Sequence, residues 1–350
     1  MPGSVHLIPR NRLGWIPKHL RLAHEYCFFL HDESARILVE YERAEAHVVK
    51  FKFRNKAEAK KFNEHAAKED AITAMRAGGY EAEARRVILN KITMAMVSDC
   101  MHHIYEALRC LEKRKVVVAL NLLRKPLTDS LLYLSWMLGD EDEFYHAFTT
   151  NSPRGITSSI LKGKRGEILG KALAKTEAAD VLTAEFIDKT LFDQANPSGF
   201  QKLFQHAVHL VTVQRVELQT TPENFNFIFK NYTDDDLYEL VYYALPHALL
   251  YVSHVIVGLF EQIAPPEAAG KRAFQVRSIL GLYLVEGDEN EAHAVERLAG
   301  LAEVVLCPDC NTALKITPHN AGRLVLTQSF LCAACRRVQP FPFSWMFESE

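Results

Sequence analysis

Four cysteines carry the most specific chemistry in this 350-residue chain. They stand as Cys307-Pro308-Asp309-Cys310 and Cys332-Ala333-Ala334-Cys335, with 21 residues between the pairs. Two residues between cysteines let a tight turn aim both thiolates at one ion, with backbone amides facing the sulfurs. Two such turns supply four sulfurs, which suits tetrahedral Zn²⁺ and leaves no position for water or substrate. The expected metal is therefore structural zinc, although four sulfurs do not by themselves choose between zinc and iron. A thioredoxin-like redox pair needs one CxxC in a strand–helix context, and here two pairs sit among strand-like residues. The remaining cysteines, Cys27, Cys100 and Cys110, are isolated in apolar surroundings. An odd count with two CxxC pairs reads as a reducing, cytoplasmic setting and a metal, not a disulfide framework.

The fifteen histidines form the second chemical inventory. His206 and His209 are three apart and share one side of a helix, a spacing that can bind a metal or hold an acid/base imidazole beside a polar partner. No Glu-x-x-His motif accompanies them. His247 and His254 are two helical turns apart and face the same way, either into a polar cavity or as core histidines with hydrogen-bond partners. His102 and His103 are adjacent and so point apart, as surface or interface residues do. Arg124 and Asp129, just before an apolar run, can anchor helices or line a site. The glycines around Lys164 and Lys171 lack phosphate-loop spacing, and no GxSxG, HExxH or GxGxxG occurs.

These residues need helices to position them. Residues 31–49, 87–113, 116–138, 198–216 and 267–303 carry apolar side chains at steps of three or four. In 87–113 the stripe is Ile92, Met96, Cys100, Ile104, Leu108 and Leu111. Pro126 marks a kink or a first turn, and a break falls near Glu286-Gly287-Asp288. Residues 151–197, rich in Gly and Pro, read as loops and short helices. Residues 240–260 hold no Asp, Glu, Lys or Arg and are long enough to span a bilayer. They contain Pro246, His247, Ser253 and His254, lack a flanking Lys/Arg cluster, and have no second candidate beside them, so the expectation is a buried core helix. The acidic run Asp234-Asp235-Asp236 suits the positive end of its dipole.

The fold class that follows is mainly α: a helical bundle over residues 1–303, with a small C-terminal β module and tail over 304–350. From residue 304 the β-branched and aromatic runs cut by Pro, Asn and Gly signal strands and turns. Residues 313–317 and 323–330 are the expected strands of a hairpin, turning at 318–322. The four-cysteine pattern with such a hairpin resembles the zinc ribbon family over about 40 residues. That resemblance implies a module that binds nucleic acid or protein. Residues 122–148 (LLRKPLTDSLLYLSWMLGDEDEFYHAF) and 203–212 (LFQHAVHLVT) are similar to uncharacterised bacterial HEPN-like helical proteins, several of which are ribonucleases of toxin or phage-defence systems. Neither residues 122–148 nor residues 203–212 contain the Arg-x4–6-His signature of that set. Activity of that kind would fall to Arg124, Asp129, His206 and His209, as electrostatic stabiliser, orienter and acid/base pair.

Composition limits the partners. Hydrophobic residues make up 48% and charged residues 24%, as in soluble globular chains. The net charge is -2, so the chain has no overall basic excess and any phosphate contact must be local. In the tail, Arg336 and Arg337 beside Phe341, Phe343 and Trp345 are the expected place for such contact, with docking onto the helical body as the other use of those aromatics. The leading expectation is a non-catalytic interaction protein with a protein partner and no membrane, self-association being left open. A metal-independent ribonuclease is the alternative.

Overall fold

A computed structural model describes residues 4–150, 153–208, 235–342 and 347. The chain is mainly helical, as its periodicity requires. A long first helix α1 (Arg21–Arg43) is followed by an arm of two short helices, α2 (Lys56–Lys68) and α3 (Ala71–Ala77), and by the 31-residue α4 (Glu81–Leu111). Helices α5 (Val116–Lys125) and α6 (Leu131–Gly139) run on through a π-helical turn, Pro126–Ser130. Pro126 has no N–H to close an α-helical bond, and the wider turn absorbs the defect without ending the helix. Short helices follow: α7 (Glu141–Thr150), α8 (Ser158–Leu161), α9 (Arg165–Leu173), α10 (Ala184–Leu191) and α11 (Phe200–Val208).

Helix α12 (Asp236–Ile263) is the expected apolar helix and lies at the centre. It is the one helix among the described residues long and apolar enough to cross a membrane, and 83% of its most apolar 18-residue window is buried inside the protein. Helices α1, α4, α6 and α9 pack around it, as does α13 (Ala268–Glu286), which leads through Gly287 into α14 (Asp288–Leu298). Asp236 and Glu239 occupy its first turn, where the helix dipole favours acids.

The antiparallel pairing of α12 and α13 settles the two histidines on α12. His247 Nε2 meets Glu286 Oε1 at 2.9 Å, and His254 Nε2 meets Ser278 Oγ at 3.0 Å. Both are partnered, His254 in the core and His247 half-buried at its edge. Burial pushes the His254 imidazole down to about 3, so it is neutral.

The C-terminal region departs from the expected hairpin. Residues 318–327 are helical (α15, Pro318–Thr327), not a turn and a strand. The signals were those of a helix start: the Thr317 hydroxyl accepts the Asn320 amide as an N-cap, and Pro318 occupies the first turn. The antiparallel pair lies later, β1 (Ser329–Leu331) with β2 (Val338–Pro340), registered Ser329↔Pro340, Phe330↔Gln339 and Leu331↔Val338.

One continuous apolar core runs from Val5 and Leu13 through α12 to Leu324, Phe330 and Phe341, so residues on both sides of position 304 share it. Two glycines permit the closest contacts. A Cβ on Gly281 would come within 2.6 Å of the Tyr26 ring, and one on Gly322 within 2.8 Å of Val5. A second, small cluster joins Met75, Tyr80 and Ala84 to Phe51, Phe53 and Phe62 under the arm.

Candidate metal centre

The two cysteine turns have the same backbone construction. The Asn311 amide donates to the Cys307 carbonyl (2.8 Å) and the Arg336 amide to the Cys332 carbonyl (3.2 Å). The Cys307 amide donates to the Thr312 carbonyl (2.9 Å) and the Cys332 amide to the Arg337 carbonyl (3.0 Å). Asn311 and Arg336, each just after the second cysteine of its pair, take left-handed backbones with φ of 57° and 60°. Each turn caps a short antiparallel ladder, the Leu306↔Ala313 bridge for the first and β1–β2 for the second.

Those turns bring all four sulfurs within 4.8 Å of one another. Cys307 and Cys335 Sγ are 3.7 Å apart, and Cys310 and Cys332 Sγ are 3.5 Å apart. A tetrahedron of sulfurs at about 2.3 Å from zinc has edges of about 3.8 Å. The separations are therefore those of a tetrahedral sulfur cage, whereas a disulfide would need about 2 Å. The cage can hold a metal ion. The Thr312 hydroxyl, 3.3 Å from Cys310 Sγ, and the Thr312 amide hold that thiol down at about 6, which favours the thiolate a metal needs.

A ring of polar contacts around the cage was not legible in the cysteine spacing. Asp309, inside the first turn, accepts from Gln339 Nε2 (2.6 Å) and Arg337 Nη1 (3.2 Å) and so ties the first turn to the strand after the second. Asn320 donates to the carbonyls of Lys315 (2.9 Å) and Leu331 (3.1 Å) and accepts the Leu331 amide (2.9 Å), standing in for a missing strand. Arg323 is buried, donating to the Val5 carbonyl (2.6 Å) and to Ser329 Oγ (2.8 Å). The Val5 amide in turn donates to Glu25 Oε2 on α1 (2.7 Å). Arg277 of α13 donates to the Val325 and Leu326 carbonyls at the end of α15, pairs with Glu33 and lies 4.8 Å over the Phe29 ring. A module of some 40 residues has little core of its own, and these contacts fasten it to the helices. Phe341 is buried among them, so it serves docking. Phe343 and Trp345 lie outside the described residues.

The other candidates divide. Arg124 and Asp129 line one polar cavity of about 670 Å³ together with Lys162, Arg165 and Gln201. His206 is not among its lining residues. It sits half-buried on α11, its Nε2 has no partner among the described residues, and burial followed by Lys202 lowers its basicity. His209 lies outside the described residues. His102 is exposed and the half-buried His103 bonds to the Asp99 carbonyl at 2.8 Å, as surface histidines do. A scan of family models, a search of curated proteins and a search of solved structures found no match to this chain and so lend the HEPN-like resemblance no support; the ribbon resemblance rests on the four clustered cysteines and the small antiparallel pair.

Proposed function

We propose that the chain is a zinc-binding helical interaction protein, its C-terminal module held by one structural Zn²⁺ on Cys307, Cys310, Cys332 and Cys335. The carrying observation is the sulfur cage: four protein thiols at tetrahedral spacing fill every position, so the ion braces and does not catalyse. Val304, Leu306 and Val338, flanking the two cysteine turns in sequence, are among the most exposed large aliphatic side chains of the described residues. Aliphatic side chains kept in water beside a braced module support a protein partner there. The ribonuclease alternative needs an imidazole beside Arg124, and the Arg124 cavity has none among the described residues that line it.

Metal analysis of the purified full-length protein tests the first part, with one zinc per chain expected and none in the Cys307→Ser/Cys332→Ser variant. A photo-crosslinker at Leu306 tests the second. It should capture one specific protein in cells, and Val304→Asp/Val338→Asp should abolish capture while retaining zinc. Incubation with total RNA beside a His206→Ala/His209→Ala variant tests the alternative. Cleavage by the wild type alone would replace the interaction reading.

A further inference from the structure

We infer that the exposed cationic face of residues 50–61 docks the sugar-phosphate backbone of single-stranded nucleic acid. In a chain of net charge -2, this stretch holds six Lys or Arg and one Glu. The reason it can is structural. Residues 49–53 form no helix and alternate half-buried with exposed, and Phe51 and Phe53 turn inward onto Phe62 and Tyr80, with ring centroids 4.8–6.0 Å apart. Alternation then sends Lys50, Lys52 and Arg54 to the opposite face, and all three are exposed. Lys56 and Lys60 continue the charge along α2 at a spacing of four, beside Lys61.

The charge is not neutralised locally. The one acid, Glu58, accepts the Arg54 amide at 2.7 Å and works as a helix-start cap. Lys60 approaches Glu64 only to 3.9 Å, both highly exposed. Lys50, Lys52, Arg54, Lys56 and Lys61 make no ion pair among the described residues. Such a line of unpaired cations is the electrostatic footprint of a polyanion site.

The geometry selects the polyanion. Side chains on one face of an extended segment repeat at about 6.7 Å, comparable to the step between successive phosphates of a stretched single strand. A membrane surface would call for large apolar side chains next to the cations. Helix α2 has no fully buried residue and its one large apolar side chain, Phe62, belongs to the inward aromatic cluster. The aromatic rings are occupied with one another, so contact is through charge and is indifferent to base sequence.

The test is fluorescence anisotropy of the full-length protein with a labelled 20-nucleotide oligo-dT across a salt series. The comparison proteins are Lys50→Glu/Lys52→Glu/Arg54→Glu and a charge-matched control, Lys18→Glu/Lys113→Glu/Lys315→Glu. The expected result is salt-sensitive binding that weakens at least tenfold in the arm variant. Its log–log salt slope should shrink by about 2, since each lost contact to a single strand removes about 0.7. The control should bind within about threefold of wild type. Equal binding by arm variant and wild type, or an equal loss in the control, overturns the proposal. So does tighter binding to a 20-base-pair duplex, to vesicles containing phosphatidylserine, or to a poly-glutamate peptide of the same length. Circular dichroism melts of all three proteins show whether the exposed substitutions leave the fold intact.

Discussion

The C-terminal module and the arm of residues 44–80 face the same shortage and meet it differently. Each is too small for a sizeable core. The module brings four sulfurs into one cage, threads α15 between its two cysteine turns, and sends Arg323 and Arg277 contacts into the helical body. The arm stacks four aromatic rings, contributed by Phe51, Phe53, Phe62 and Tyr80, into a cluster separate from the main core. The difference lies in what is left at the surface. Four thiolates around a divalent ion sum to a formal charge of about -2, and two of the module's arginines, Arg323 and Arg337, are spent on docking and pairing. The aromatic cluster is neutral, and Lys50, Lys52, Lys56 and Lys61 of the arm remain without an ion pair among the described residues. A local stabilising device thus also sets which charge a unit can present to a partner.

Removing the metal should produce the largest effect. Structural zinc in small modules contributes on the order of 10 kcal/mol of binding free energy. Chelation, or acid that protonates the thiolates, should raise hydrogen exchange at the amides of Cys332, Leu331 and Arg336 by orders of magnitude and leave Phe51–Tyr80 contacts intact. Equal deprotection of residues 50–80 would show that the two units are not independent.

Next in size is Arg323→Ala. It strands the Val5 carbonyl and the Ser329 hydroxyl without their charged donor, and a cost of about 3 kcal/mol is expected. Denaturant melts should show it with zinc still bound. Unchanged stability would mean that the module does not depend on this anchor.

Phe53→Ala should cost about 2 kcal/mol, less than a fully buried ring because Phe53 is half-buried. The loss should be confined to arm amides, and a matching loss in the zinc module would contradict the separation of the two clusters. The smallest effect belongs to Asn55→Ala. It removes the side chain that accepts the Glu58 amide at 2.9 Å and should cost about 1 kcal/mol, read as fraying of α2.

What could be read in advance followed from covalent spacing and from periodicity. Two residues between cysteines constrain two sulfurs whatever the rest of the chain does, so the cage was legible. The charge-free stretch within α12 was legible as a core helix because length and composition alone define it. Helix α15 was missed because Pro318-His319-Asn320 reads equally as a turn or as a helix start, and Thr317 one residue earlier decides between them. Arg323 and Arg277 were invisible for another reason. Their partners, such as Val5 and Glu33, lie hundreds of residues away, and no local pattern encodes that. Arg124 and Asp129 share a cavity as their spacing allowed, but whether an imidazole joins them depends on how α5 and α11 pair, which periodicity does not specify.

Val5 has both of its peptide groups engaged at long range, the amide on Glu25 and the carbonyl on Arg323. The two partners are made at very different times. Glu25 emerges 20 residues after Val5 and Arg323 emerges 318 residues after it. At about 5–20 residues per second of synthesis, roughly 15–65 s pass before the second partner exists. During that interval the first turns of the chain hold only half of their anchorage, and the groove that Val5 shares with Gly322 stays open. Closure of the segment around Val5 therefore cannot precede the emergence of Arg323, and that seam waits on the zinc module.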